Sequence, residues 1–267
     1  MRFSSLSSGS SGNATFIQSG DTRILLDCGI SVRLLASRLR DIGETLDGLD
    51  GICIGHSHGD HCSGLARTIR ERIRRGASIP AYLSRPTAEL IDWGGLERPP
   101  IRYFEPGRSF EIGDLQIMPV TLPHDDPDPV GFIVTDRQGV KAGVIMDLGY
   151  LPDAARYLLR GAHIIQLESN YDTAMLQESP YPEPVKRRIA GELGHLPNSA
   201  VREFIRNDLD PDVRHLILCH LSRQNNHPAA ARDGAADALA SRGITHCQLT
   251  VATHQAATEV IDTEVFK

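Results

Sequence analysis

The chain has 267 residues, 40% hydrophobic and 23% charged, with 24 Gly and 16 Pro, a globular composition that excludes disordered, collagen-like and coiled-coil classes. No apolar run approaches the ~18 residues of a membrane span, and the stretch from Met1 to Gly9 lacks the apolar segment of a signal peptide. A net charge of −6 argues against a protein coated in nucleic acid while leaving room for a local basic groove, and five scattered Cys without an export signal imply reduced thiols and a cytoplasmic protein.

Asn13–Gln18 and Thr22–Leu26 read as two strands of a hairpin around Gly20-Asp21. Ser31 is placed to cap a helix whose Leu35, Leu39 and Ile42 keep helical spacing and which Gly43 ends. Gly51–Ile54 is a short apolar strand, and a second helix follows with Leu65, Ile69 and Ile73 on its apolar face. Strands are expected at Ala81–Leu83, Ile101–Phe104, Leu115–Val120, Gly131–Thr135 and Val140–Met146, the last two joined by a turn at Asp136–Gly139. Helices are expected at Pro152–Leu159, Pro184–Leu193, Asn198–Arg206 and Pro228–Arg242, and strands at Ile164–Leu167, His215–Leu218 and Gln248–Val251. The nearest thing to a linker is the Ser/Gly run Ser4–Gly12, and no repeat divides the chain, so one domain over residues 1–267 is expected. Hairpins early and strand–helix units later imply a mixed-sheet sandwich covered by helices.

His56, His58, Asp60 and His61 fall within six residues, between the strand at Gly51–Ile54 and the helix that follows. Each can bind a borderline metal, His through a neutral nitrogen and Asp through oxygen. On an irregular loop His56 and His58 can converge on one ion while Asp60 and His61 turn to another. Later strands also lead into such residues: Leu122-Pro123-His124-Asp125 follows the strand ending near Val120, and Val144-Ile145-Met146-Asp147 and Leu216-Ile217-Leu218-Cys219-His220 end two others. Taken singly, His124, Asp147 and His220 also suit turn polarity, a helix cap or a buried hydrogen-bonded His.

The His-x-His-x-Asp-His motif with these later residues resembles the metallo-β-lactamase superfamily. The resemblance implies an α+β fold, a four-layer αββα sandwich of two mixed sheets flanked by helices. It also implies two divalent ions, Zn or Mn with Fe as a further possibility. His56, His58 and His124 would hold one ion, Asp60, His61 and His220 the other, and Asp147 would bridge them. A narrower resemblance spans nearly the whole chain. Ser7-Ser8-Gly9-Ser10-Ser11-Gly12-Asn13, Leu25-Leu26-Asp27-Cys28-Gly29, Glu168-Ser169-Asn170-Tyr171-Asp172, Gly194-His195-Leu196-Pro197-Asn198 and His220-Leu221-Ser222 with Asn225-Asn226 look like the YycJ (WalJ) family. That family belongs to the nuclease-type branch, and the resemblance implies a 5′→3′ DNA exonuclease. Gly55, Met146-Asp147-Leu148 and Pro197 depart from its pattern without removing a metal ligand.

Two ions ~3.5–4 Å apart can deprotonate a water between them and hold the entering and leaving oxygens of a phosphodiester. Asp60 lies where it could orient that hydroxide, and what remains is a proton for the leaving oxygen. His195, just before a helix that Asn198 could cap, is the best source, the alternative being a His packed at a helix entry. Glu168 either pairs with His195 and holds it protonated or caps the following turn. Ser8, Ser10, Ser11 and Asn13 lie in a Gly-rich loop suited to phosphate oxygens or simply to a tight strand connection. Asn225 and Asn226 suit a base, a terminal phosphate or a turn. Arg67, Arg70 and Arg74 share a helix face, and Lys186, Arg187 and Arg188 form a second basic cluster; both read as solvated faces unless they border the metal cleft, where they would track a DNA backbone. Cys62 reads as a small buried hydrophobe. DNA is thus the expected partner, with no membrane and no obligate protein partner evident. The rival enzyme class is a small-molecule metallo-hydrolase acting on a cyclic phosphodiester, thioester or lactone. A non-catalytic binding protein is disfavoured because no ligand is missing, and RNA processing because there is no room for an inserted domain or arm.

Overall fold

The computed structural model describes residues 1–266. The first half runs β1 (Arg2–Ser7), β2 (Ala14–Ser19), β3 (Thr22–Leu26), α1 (Val32–Asp41), β4 (Gly51–Cys53), α2 (Gly59–Cys62), α3 (Leu65–Arg74), β5 (Ala81–Leu83), α4 (Arg85–Leu90) and β6 (Ile101–Tyr103). The second runs β7 (Phe110–Ile112), β8 (Leu115–Thr121), β9 (Val130–Asp136), β10 (Lys141–Ile145), α5 (Asp153–Leu159), β11 (Ile164–Glu168), α6 (Thr173–Glu178), α7 (Glu183–Ile189), α8 (Asn198–Asn207), β12 (His215–Cys219), α9 (Pro228–Ser241), β13 (Gln248–Val251) and β14 (Ile261–Asp262).

One sheet has the order β14-β1-β2-β3-β4-β5-β6 and the other β13-β12-β11-β10-β9-β8-β7. Each is half antiparallel and half parallel: β3 to β6 run parallel in the first, and β10 to β13 in the second. The inner faces pack Phe3, Ile17 and Ile24 against Phe132, Val144 and Ile217. Outside the first sheet, Leu35 and Leu39 of α1 and Leu65 and Ile69 of α3 cover Leu25 and Ile52. Outside the second, Ala155 and Leu159 of α5, Val201 and Phe204 of α8 and Ala235 and Leu239 of α9 cover Ile165 and Leu216. The architecture is therefore the expected four-layer αββα sandwich of two mixed sheets. Among the described residues no helix is long and apolar enough to cross a membrane.

Several elements depart from the sequence reading. The linker-like serine run starts as β1, which pairs with β2 and is almost wholly buried. Two of its serines use their hydroxyls, Ser4 donating to the Thr258 carbonyl at 2.8 Å and Ser7 to that of Gly12 at 2.7 Å, while the buried Ser5 hydroxyl has no hydrogen-bond partner. Ile73, expected on the apolar face of α3, is half exposed, and that face is completed by Ala66, Thr68 and Arg72 instead. The helix expected to reach Leu193 stops at Ile189. Gly194 then packs so tightly on the Arg188 and Ile189 carbonyls that a Cβ would not fit.

The parallel halves place the functional residues. Parallel strands in one sheet bring their C-terminal ends to one rim, where side chains from several strands converge. Asp27 follows β3, His56 follows β4, Asp147 follows β10, Glu168 ends β11 and His220 follows β12. Among the described residues only three non-glycines have positive φ: Asp27 (64°), Asp147 (62°) and His220 (53°). Such backbone costs on the order of 1–3 kcal/mol per residue and persists only where the surroundings impose it. All three are carboxylates or imidazoles at this rim.

Candidate metal centre

The His56-Ser57-His58-Gly59-Asp60-His61 segment turns from β4 directly into the short α2. It docks on the β2–β3 side of the sheet: Asn13 N–H donates to the Asp60 carbonyl at 2.7 Å and Cys28 N–H to that of His61 at 2.8 Å. Gly29 lies against the Asp60 carbonyl with no room for a side chain. Asp126 takes the Ser57 amide at 3.2 Å and its hydroxyl as well, pinning the loop from the other side. Cys62 is buried, and its thiol donates to the Ser57 and His58 carbonyls.

His56, His58 and His124 gather on one side, their ligand atoms within 4.8 Å of one another. His124 donates Nδ1–H to the Gly194 carbonyl at 3.1 Å, which leaves its Nε2 bare, 3.2 Å from His58 Nδ1. His56 is 3% exposed, and its Nε2 has no hydrogen-bond partner. Burial, with the neighbouring His61 charge, pushes the His56 ring well below the usual imidazole range, so it is neutral and carries a free lone pair.

Asp60, His61 and His220 gather on the other side. His61 donates Nδ1–H to Asp27 Oδ2 at 2.8 Å, and Asp27 Oδ1 accepts the Gly55 amide at 2.9 Å. His220 donates Nδ1–H to Glu168 Oε1 at 3.0 Å. Both rings thereby present Nε2 inward. His61 Nε2 meets Asp147 Oδ2 at 2.8 Å, and His220 Nε2 meets Asp60 Oδ2 at 3.2 Å. Asp147 is 2% exposed and reaches both groups. Burial raises its carboxyl, but the His220 and His61 charges outweigh that and hold it well below the usual carboxylate range. Burial likewise opposes charge on His220, and Asp147, Asp60 and Glu168 together raise it to about 10. Inward-facing lone pairs packed against buried carboxylates, with one imidazole nitrogen orphaned, are the donor set that cations satisfy. The residues fit divalent metal, and without it the imidazoles must carry the compensating charge.

Glu168 is fully buried and engages four donors. Its Oε1 accepts from His195 Nδ1 at 2.8 Å and from His220; its Oε2 accepts the Leu148 amide at 3.1 Å and the Leu196 amide at 3.2 Å. Burial opposes charge on this carboxyl, yet His195 and these bonds keep it lowered. Burial also opposes charge on His195, and Glu168 more than offsets that, so the ring is raised. Of the two alternatives for Glu168, the pair with His195 is formed; as to the separate expectation for Asn198, the helix entry there has no side-chain cap.

His58, Asp60, His124, Asp147, His195 and His220 share a cleft of about 200 Å³ whose wall includes Ser10 and Arg188. Other expected substrate contacts are spent inside the protein. Ser8 Oγ accepts the His220 amide at 2.7 Å, and Asn13 turns its amide onto Asp60 Oδ2 at 3.2 Å and His61 Nε2 at 3.0 Å. Asn226 donates to the Ser169 and Asn170 carbonyls and exchanges bonds with Asn198. Ser11 is exposed, and Asn225 is buried with neither end of its side chain hydrogen-bonded. No arginine of α3 lines the cleft: Arg74 and Arg75 bind Glu71, Arg72 binds Asp47, and Arg70 donates to the Gly94 carbonyl. The cleft's arginine is Arg188 of α7, which Asp125 holds at 2.8 Å. Three positioning groups had escaped assignment: Asp27, Asp126 and the Gly194 carbonyl. For Asp27 the signal was there, a carboxylate directly after an apolar strand.

Two mixed sheets with a His/Asp centre at their common rim define a metal-dependent hydrolase. The chain belongs to the β-lactamase superfamily: residues 22–221 match the family described as "Beta-lactamase superfamily domain". It is 27% identical to "Exodeoxyribonuclease YycJ" of Bacillus anthracis over 91% of this chain and 90% of that protein. It is 29% identical to "Exodeoxyribonuclease WalJ" of Streptococcus pneumoniae over 84% of this chain and 83% of that protein. Among solved structures, the metallo-β-lactamase fold protein YhfI from Bacillus subtilis superposes with a TM-score of 0.70 at 16% identity, over 96% of this chain and 98% of that one.

Proposed function

We propose that this chain is a dinuclear metal-dependent phosphodiesterase, a 5′→3′ DNA exonuclease. The observation that carries the reading is the pair of three-residue clusters, His56/His58/His124 and Asp60/His61/His220, with the buried Asp147 reaching both. The exodeoxyribonuclease names of the YycJ and WalJ relatives support DNA as substrate, and the resemblance to that family supports the direction. Bound cations would supply Lewis-acid polarisation of the phosphate and an activated water. Zn, Mn or Fe each suits a His/Asp donor set.

The protein's own residues do the rest. Glu168 keeps His195 in the tautomer with Nδ1–H directed away from the cleft, so that Nε2 is the atom available for proton transfer. In its protonated form His195 donates the Nε2 proton to the leaving oxygen. Asp60, tied to Asn13, is fixed where it can orient the attacking water. Arg188 and Ser10 stand at the cleft wall, where a phosphate would meet them. One experiment tests the whole reading. The protein is loaded with Zn, Mn or Fe, its metal content is measured, and it is offered 5′-phosphorylated DNA labelled at either end, RNA, a cyclic phosphodiester, a thioester and a lactone. The expected result is two metal ions per chain and stepwise loss of nucleotides from the DNA 5′ end. One ion per chain, attack from the 3′ end, or turnover confined to a small substrate refutes the corresponding part.

A further inference from the structure

Beyond the metal cleft, the same rim carries a second groove. Strands β3, β4, β5 and β6 are consecutive and parallel, so all four end on the same side. The first two deliver Asp27 and His56 to the metal centre. The next two deliver Ser84 and Phe104 to a groove of about 480 Å³. From β4 to β6 is two strand spacings, roughly 10 Å. The groove and the centre also share a loop. His124 and Asp125 line the metal cleft, Asp128 lines the groove, and Asp126 between them holds Ser57 of the His56–His58 turn.

The groove's chemistry is aromatic and cationic. Tyr103 is 50% exposed, so its ring is open to a partner. The Arg85 guanidinium lies over its face, 4.3 Å from the centroid. Phe104 and Phe110 also line the groove and stack at 5.5 Å with their planes 6° apart, and Tyr82 continues the stack on Phe110 at 5.4 Å. Arg108 stands at the rim, loosely paired with Glu105 at 3.6 Å, both side chains more than three-quarters exposed. Such a pair is worth little, so Arg108 is free to turn to another anion. A planar ring backed by a guanidinium, with a second guanidinium nearby, is how proteins hold an unpaired base and its phosphates.

We propose that this groove binds a single-stranded segment of DNA adjoining the phosphate held at the metal centre, with a base on Tyr103–Arg85 and a backbone phosphate at Arg108. This rests on the DNA reading above, since it supplies the path for the strand whose end is being cut. The neighbouring Glu105 and Asp128 limit the groove's positive charge, so stacking rather than net charge carries the contact.

The test compares two substrates of the metal-loaded enzyme. One is a 5′-phosphorylated oligodeoxynucleotide with an unpaired extension, and the other is a 4-nitrophenyl ester of thymidine 5′-phosphate, too short to reach the groove. Tyr103→Ala and Arg85→Ala should raise KM for the oligonucleotide about 5- to 100-fold, the scale of losing one base–aromatic stack, with kcat kept. The small diester should be hydrolysed as by the wild type, and Tyr103→Trp should restore the oligonucleotide KM. Unchanged KM for DNA that the wild type digests overturns the groove and leaves the DNA reading standing. Equal losses on both substrates also overturn it, because they signal damage to the metal centre. A Tyr103 dependence seen with RNA but not DNA assigns the groove to a different strand. Failure of the wild type to digest DNA while it cleaves the small diester overturns the DNA reading itself, and this inference with it.

Discussion

Glu168 Oε1 accepts the Nδ1 proton of His195 at 2.8 Å, and through that one bond the proposed acid is tied to the metal centre, since the same oxygen also accepts from His220. The carboxylate is fully buried, and its other oxygen is filled by the Leu148 and Leu196 amides. It therefore cannot rotate to release one imidazole without breaking backbone bonds. The proposed proton donor and the proposed ligand His220 are held in register by one group.

Glu168→Gln tests that arrangement. Two backbone amides face one end of the side chain, so the Gln oxygen settles there and its NH2 group faces His195 and His220. Both rings must then accept at Nδ1 and carry their proton on Nε2, the wrong tautomer for a ligand. We expect affinity for the cation at Asp60/His61/His220 to fall about 10- to 100-fold, the scale of losing an outer-shell partner, while the His56/His58/His124 cation binds as before. Calorimetric metal titration resolves the two; parallel weakening of both would contradict the shared-carboxylate account.

Asp27 gives a second, separate test. It orients His61 from a backbone at φ 64°, a conformation that Asn tolerates and β-branched residues do not. Asp27→Asn should weaken the same cation by about 10- to 100-fold with little change in melting temperature. Asp27→Val should additionally lower stability by about 1–3 kcal/mol from strain. Chemical denaturation of the metal-free proteins measures the second effect apart from the first, and equal stability of the two variants would show that the backbone there relaxes freely.

The salt dependence of DNA binding should follow α7 rather than α3. Arg188 lines the cleft, whereas Arg70, Arg72, Arg74 and Arg75 of α3 and its end are engaged with Gly94, Glu71 and Asp47. Arg188→Ala should flatten the slope of log affinity against log salt by about one unit, as for one lost phosphate contact. Replacing Arg67, Arg70 and Arg74 together should leave it unchanged. The reverse pattern would move the DNA track to the other helix.

What the sequence discloses of this molecule depends on how local the signal is. His56, His58, Asp60 and His61 are legible because they lie on one turn, and His124, Asp147 and His220 because each follows an apolar strand in the expected order. The partners that aim them are not. The Gly194 carbonyl meets His124 across 70 residues and Asp27 meets His61 across 34, with no spacing rule to link them. Asn13, Ser8 and Asn226 carry groups suited to phosphate, and only burial shows that those groups are used within the protein. Likewise β1 is hidden by composition: serine runs read as linkers unless the acceptors of their hydroxyls are known.

The role of His195 is the sharpest remaining test. If it protonates the leaving oxygen, His195→Ala should slow DNA hydrolysis by about 10²–10⁴-fold, the usual scale for general acid catalysis. Metal content should be unchanged, because its one assigned bond goes to Glu168 and not to a cation. The loss should shrink on a nitrophenyl phosphodiester, whose leaving group departs without a proton. A residue that merely packs at the entry to α8 would slow both substrates alike. Kinetics of the variant on the two substrates, alongside elemental analysis, separate these outcomes. Equal losses would return His195 to a packing role, and loss of an ion would make it a ligand instead of an acid.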